Sequence, residues 1–263
     1  YQIKGYKHKY RDWKKRGHGK TNVDKAIVES CDVFFYNLAF NMGIDEINHY
    51  LAQFGFGTAT GTDISGEQPG VLPSREWKQI HREEPWYPGE TLSVGIGQGF
   101  FTITPLQLAS AIATLANQGQ RMQPHLLYAT QGVGVTNPQL QPYQPLNQVE
   151  IQQQENWAHV YESMRRVAHS RHGTARKIGK NSKYSIAGKT GTAQVYTVKQ
   201  GDQYDEASLP EHLRDHALFV AFAPQEEPEI AIAVIIENGG HGGSVAAPIA
   251  KKIMDRYLLE QHG

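Results

Sequence analysis

With 263 residues, 39% of them hydrophobic and 20% charged, the chain has ordinary globular usage, enough for one large domain or two small ones and too apolar for disorder throughout. Twenty-six Lys and Arg balance 26 Asp and Glu, so overall charge points to neither a nucleic-acid nor a membrane partner. The single cysteine, Cys31, excludes an intrachain disulfide, and no apolar run reaches the roughly 18 residues of a membrane helix.

The first twenty residues, YQIKGYKHKYRDWKKRGHGK, hold eight Lys or Arg against Asp12 alone, with Tyr1, Tyr6, Tyr10 and Trp13 interleaved. Such an arm resembles an RNA-binding segment, yet no recognition motif accompanies it. A solvated loop near anionic lipid or glycan is the plainer reading, and no nucleic-acid partner is expected. The chain opens into this loop at Tyr1 with no initiator methionine or signal sequence, from which a longer parent is expected.

Helix signals follow. Asn22 or Asp24 starts a helix through Ile27, and Val33 to Phe40 reads as a second, with Ser30, Cys31 and Asp32 at their junction. Asp45 caps a third over Ile47, Tyr50, Leu51 and Phe54, which Gly55 stops. Thr104 and Pro105 open another whose apolar face is Leu108, Ile112, Leu115 and Ala116. The stretch 134–153, GVTNPQLQPYQPLNQVEIQQ, has no periodicity and reads as an exposed crossing loop. Trp157, Val160, Tyr161, Met164 and Val167 return to helical spacing. Near the end, Ala217 to Ala223 and Ile230 to Ile236 are apolar runs split by PQEEPE, a hairpin signal. With a strand through Lys189 they make three antiparallel strands, covered by a helix whose inward face is read as Val245, Ile249, Ile253 and Tyr257. The fold class is α+β, an antiparallel sheet covered by helices.

The lysine in SIAGKTGTAQ needs a reason to lie on a glycine-flanked strand. Lys189 supplies an ammonium, Thr190 and Thr192 supply hydroxyls, and Gly191 lets a ligand backbone approach, a set suited to an anionic peptide end. K-T-G is also the third of three elements, with S-x-x-K and S-D-N, shared by penicillin-binding proteins and class A β-lactamases. Ser30, Cys31 and Asp32 stand in the place of the second. None of the eleven serines has a lysine three residues on, so the first is absent from the chain.

Longer stretches carry a more specific resemblance: YRDWKKRGHGKTNVDKAIVESCDVFFYNLA, DISGEQPGVLPSREWK, PWYPGETLSVGIGQGF and RDHALFVAFAP. They are similar to the transpeptidase domain of class B penicillin-binding proteins, in particular the elongation-type enzymes of Gram-negative rods. The resemblance covers nearly the whole chain. It implies the penicillin-binding and serine β-lactamase-like fold, here its C-terminal part, with the nucleophilic serine expected upstream of Tyr1. It implies peptidoglycan stem peptides as substrates, acylation by β-lactams, membrane-bound cell-elongation proteins as partners, and a periplasmic location with an N-terminal anchor. Ser30 would relay a proton and Lys189 hold the field positive, while Thr190 and Thr192 receive the substrate carboxylate and the Thr192 N–H serves as an oxyanion donor. Asp32 departs from the commoner asparagine, and a carboxylate cannot donate to a substrate amide carbonyl. The rivals are a serine β-lactamase or penicillin sensor of the same fold, and a non-catalytic binding module.

GIGQGF lacks both dinucleotide spacing and the acidic residue that should follow, and reads as a tight turn lining the cleft. ENGGHGG reads as a strand-to-helix loop rather than a phosphate cradle. Asp12, His18 and Cys31 are all zinc-ligand types on segments that can fold together; a buried thiol and a solvated histidine are the alternative. Resemblance to elongation-type enzymes implies structural Zn²⁺ there, with a fourth ligand upstream.

Overall fold

The computed structural model describes residues 1–134, 136–195 and 209–260. Asn22 caps α1 (Val23–Glu29) by accepting from the Lys25 N–H at 3.0 Å, and α2 (Asp32–Gln53) begins after a two-residue junction. The two helices expected over 33–40 and from Asp45 are one element broken at Gly43, whose φ of 79° and ψ of 162° are open essentially to glycine alone. Asp45 therefore lies inside the element rather than capping a separate one, and it pairs with Arg75 at 2.9 Å.

Two helices that periodicity did not signal follow. In α3 (Arg75–Arg82), Ser74 caps by accepting from the Trp77 N–H at 2.9 Å; α4 (Pro88–Gly95) starts on proline. Lys78 joins them. Its ammonium is buried, lies 3.3 Å from Glu84, bonds Glu90 in the first turn of α4 and sits 4.3 Å above the Tyr87 ring. Two carboxylates and an aromatic face offset the desolvation of one cation, and α4 is thereby fixed where it delivers the turn 95–99. The capping box of Thr104 and Gln107 opens α5 (Pro105–Ala116) as expected.

The expected crossing loop is partly strand. β1 (Gln120–Met122) pairs with β4 (Pro145–Gln148), and β2 (Ala129–Thr130) with β3 (Gln139–Leu140), all antiparallel. These strands are two to four residues long and lie largely at the surface, so no alternation marks them in the sequence; Val135 is outside the described residues. Next come α6 (Glu155–His169), with Trp157, Tyr161, Met164 and Val167 buried as expected, and the short α7 (Arg176–Gly179).

β5 (Ala187–Ala193), β6 (His216–Ala223) and β7 (Ile230–Ile236) form the expected sheet in that order. Alternation sorts its two faces. Ala217, Phe219, Ala221 and Ala223 pack with α8 (Ala246–Glu260), while Val220 and Phe222 pack with α5 and α6. Lys189 is opposite Val220 in register, so it belongs to the α5 and α6 face. The inward side of α8 is not the one read from sequence: Ala246, Ala247, Ala250, Met254 and Leu258 are buried, and Ile249, Ile253 and Tyr257 are exposed. Alanines bring the helix close to the sheet, and this small-residue stripe outweighs the larger apolar one beside it.

Candidate active site

One wall of the cleft is the α1 to α2 junction. Ser30 ends α1 in the left-handed region, φ 56° and ψ 58°, where a side chain with a Cβ is held only by its surroundings. The surroundings are the basic arm. Trp13 Nε1 donates to the Ser30 carbonyl at 2.8 Å, Trp13 N–H to Asp32 Oδ2 at 3.0 Å, and Val33 N–H to Asp12 Oδ2 at 3.3 Å. The loop expected to be solvated is thus folded against the motif.

The other wall is β5. Lys189 Nζ reaches across 159 positions of sequence to donate to Ser30 Oγ at 2.8 Å, and donates equally closely, at 2.8 Å, to the Thr190 carbonyl. Burial pushes its proton affinity down to about 8, against a partial upward pull from the Asp32 carboxylate. A lysine held near that value keeps a charge for an anion at neutral pH and sits close enough to neutrality to share protons with a hydroxyl. The Thr190 hydroxyl lies 2.8 Å from that of Thr174, and Thr192 faces solvent. Gly188 is required by packing, since a Cβ there would lie 2.6 Å from Phe219; at Gly191 a Cβ would press on Leu218 at 3.1 Å. Space for the strand, rather than approach of a ligand, therefore accounts for both glycines.

Asp32 is held away from a free role in the cleft. Its carboxylate accepts from the Trp13 N–H, and burial, together with the charge of Asp12, raises its proton affinity despite that bond and the nearby Lys189 ammonium.

Asp12, His18 and Cys31 do come together, with ligand atoms all within 4.8 Å of one another. Asp12 Oδ2 lies 3.2 Å from His18 Nδ1 and 3.3 Å from Cys31 Sγ. His18 is buried, not solvated, and its Nε2 is a buried polar atom with no hydrogen-bond partner. Tetrahedral zinc at its usual bond lengths sets ligands about 3.5 Å apart, so this donor set fits the ion with small adjustment.

Residues unmarked by motif complete the cleft. Gln98, in the turn between Gly97 and Gly99, donates to the Thr192 carbonyl at 3.1 Å and so joins that turn to β5. Sequence placed the turn beside the cleft but did not single out Gln98; Trp13 was visible only as one aromatic in a basic arm, and Thr174 carried no signal.

The profile described as penicillin binding protein transpeptidase domain matches residues 1–255. The chain belongs to the penicillin-binding protein transpeptidase family. A relative named peptidoglycan D,D-transpeptidase MrdA, from Acinetobacter baumannii, is 51% identical over 259 residues, which is 98% of this chain and 38% of the relative. The penicillin-binding protein PBP2 of Pseudomonas aeruginosa, solved in complex with WCK 5153, superposes with a TM-score of 0.86 at 44% identity, covering all of this chain and 53% of that one. PBP2 of Helicobacter pylori, solved in a complex with MreC, gives 0.81 at 34% identity over 98% of this chain and 44% of that one. The chain thus spans about two fifths of the curated relative it matches and about half of the solved structures. Its transpeptidase fold is the helix-covered antiparallel sheet described above.

Proposed function

We propose that residues 1–263 are the C-terminal part of one transpeptidase domain of a peptidoglycan D,D-transpeptidase of the elongation type, and that the whole protein supplies the acylating serine this sequence lacks. The observation that carries the reading is the 2.8 Å contact between Lys189 Nζ and Ser30 Oγ, which unites two family elements from opposite walls. In the whole protein the serine oxygen attacks the carbonyl of the penultimate D-Ala of a stem peptide; the C–N bond breaks, the amine of the terminal D-Ala takes a proton, and an acyl-enzyme remains. An amine from a neighbouring stem then displaces the serine oxygen and forms the cross-link. Ser30, bonded to Lys189, is placed to pass the proton, and the charge of Lys189 with the hydroxyl of Thr192 is placed for the substrate carboxylate. Thr190 serves through its bond to Thr174, which fixes the hydroxyl beside β5. A β-lactam mimics the acyl-D-Ala-D-Ala end and is taken up by the same chemistry. Labelled penicillin tests this: the whole protein should be acylated and hold the label for hours, whereas release within minutes would favour a β-lactamase and no labelling a binding module.

Asp12, His18 and Cys31 would hold a structural Zn²⁺, a reading supported by the closeness of the three donors, with His18 Nδ1 and Cys31 Sγ both beside Asp12 Oδ2. The ion would fasten the basic arm to the junction that presents Ser30. A fourth donor from elsewhere in the whole protein closes the site. Elemental analysis of the purified whole protein should give near one equivalent of zinc that Cys31→Ser and His18→Ala remove; less than about a tenth of an equivalent would end the reading. Among the described residues no helix is long and apolar enough to cross a membrane. We place the domain on the periplasmic side of the inner membrane, where its polymer substrate lies, held by an N-terminal anchor of the whole protein. The MreC complex of the H. pylori relative supports a partner from the cell-elongation machinery.

A further inference from the structure

β5 is an edge strand: β6 pairs with one side of it, and no strand pairs with the other among the described residues. In an antiparallel strand the N–H and C=O of one residue point the same way, and residues two apart share that direction. The Thr192 carbonyl is directed at Gln98, away from β6, so the N–H of Thr192 and the carbonyl of Thr190 lie along the same free edge. Both carbonyls are occupied by side chains of the protein itself, Thr190 by Lys189 at 2.8 Å and Thr192 by Gln98 at 3.1 Å. An extended peptide joins a sheet edge by donating its N–H groups to such carbonyls. At Thr192 it does so in competition with the amide of Gln98, which already donates to that oxygen.

We propose that Gln98 is a latch on the substrate edge of β5, a residue that tunes ligand affinity by competing with the ligand's amide N–H for the Thr192 carbonyl. The inference rests on the transpeptidase reading of this cleft. The turn is built for release. Its backbone is held by Gln98 N–H on the Ser93 carbonyl and Gly97 N–H on the Val94 carbonyl, both at 2.9 Å, so the side chain can swing without the turn unfolding. Gly97 and Gly99 have φ of 75° and 76°, and the space where a Gly97 Cβ would lie is open within 4 Å. The Gln98 contact is also a neutral bond at a half-exposed site, where exchange for a ligand N–H costs little. Lys189 differs, since its second bond to Ser30 fixes it in place.

The test uses the whole protein with Gln98→Ala and Gln98→Met, neither of which can donate. Stopped-flow acylation separates the dissociation constant from the limiting rate constant for two probes: benzylpenicillin, which has an exocyclic amide N–H, and unsubstituted penicillanic acid, which has none. Removing the competing bond should tighten benzylpenicillin binding by about 2- to 10-fold, with the limiting rate within about twofold of the parent and penicillanic acid unaffected. Unchanged or weaker benzylpenicillin binding overturns the latch, as does an equal gain for both probes, which would mean steric relief rather than competition for the carbonyl. Calorimetry with diacetyl-Lys-D-Ala-D-Ala, on whole protein whose acylating serine is replaced by alanine, reads the latch without acylation. Tighter binding to the variants sustains it and equal or weaker binding overturns it, whereas failure of the parent protein to acylate would count against the transpeptidase reading alone.

Discussion

One wall of the cleft is a strand and the other a helix junction, and different forces hold them. Every residue of β5 from Ala187 to Ala193 is paired with β6, and its glycines are pressed against Phe219 and Leu218, so the position of Lys189 follows from packing and the period of the sheet. Ser30 sits in a left-handed conformation that no packing period requires, and Trp13 and Asp12 hold its neighbourhood through a few polar contacts made 17 to 21 residues away. Strand packing is rigid and fails by overpacking; a polar clamp is directional and fails when one donor is removed. Perturbations should therefore separate the two walls.

The largest effect is expected where the strand wall has no room. In Gly188→Val the added Cβ would meet Phe219 at 2.6 Å and the Val220 carbonyl at 2.9 Å, so urea unfolding of the whole domain should show a loss of about 3 kcal/mol or more. A loss under about 1 kcal/mol would mean that β5 yields more easily than its pairing implies. Next, Lys189→Ala should slow acylation by labelled penicillin about a hundredfold while the melting temperature moves by no more than about two degrees, because one electrostatic donor is removed from a site that packing already holds. Comparable acylation in the variant would take Lys189 out of the chemistry.

On the junction wall, Trp13→Phe keeps an aromatic ring, though a smaller one, and removes the Nε1 donor that reaches the carbonyls of Ser30 and Glu29 at 2.8 and 3.2 Å. A clamp of this kind should cost about fivefold in acylation and leave the unfolding of the sheet unchanged, the reverse of the Gly188 result. Equal losses in both would show that the walls are one cooperative unit. The smallest effect comes from pH. Burial lowers the proton affinity of Lys189 from 10.5 to about 8, so its charge is present below that pH and lost above it. Affinity for a ligand carboxylate should fall as pH rises through about 8, and the fall should vanish in Lys189→Arg, which keeps its charge. The same depression means that the folded protein sheds this proton before the unfolded chain does, so its contribution to stability rises between pH of about 8 and 10.5.

The contrast between the walls also explains what could be read from the sequence. β5, β6 and β7 were legible because short apolar runs and the PQEEPE turn mark them, and Lys189 was conspicuous among glycines. The capped helix at Thr104 and the face from Trp157 to Val167 were legible for the same reason. α3 was not, because REWKQIHR has no apolar stripe and is held by the buried Lys78 instead. The inward face of α8 was misread since alanines at 246, 247 and 250 weigh little in a pattern of large apolar residues yet allow the closest approach. The motif at Ser30 could be named from its type and place, but the clamp by Trp13, the partner hydroxyl of Thr174 and the reach of Gln98 to Thr192 are single long-range contacts that leave no period.

The claim on which the account turns is that Ser30 and Lys189, brought from the two walls to 2.8 Å, act as one unit. A double-mutant cycle on acylation of the whole protein, using Ser30→Ala, Lys189→Ala and the pair, measures this directly. Groups that work together fail together, so the double variant should be slower than Lys189→Ala by no more than about threefold. Losses that multiply, with the double variant slower by the full product of the two single effects, would show that the two residues act independently and contradict the account.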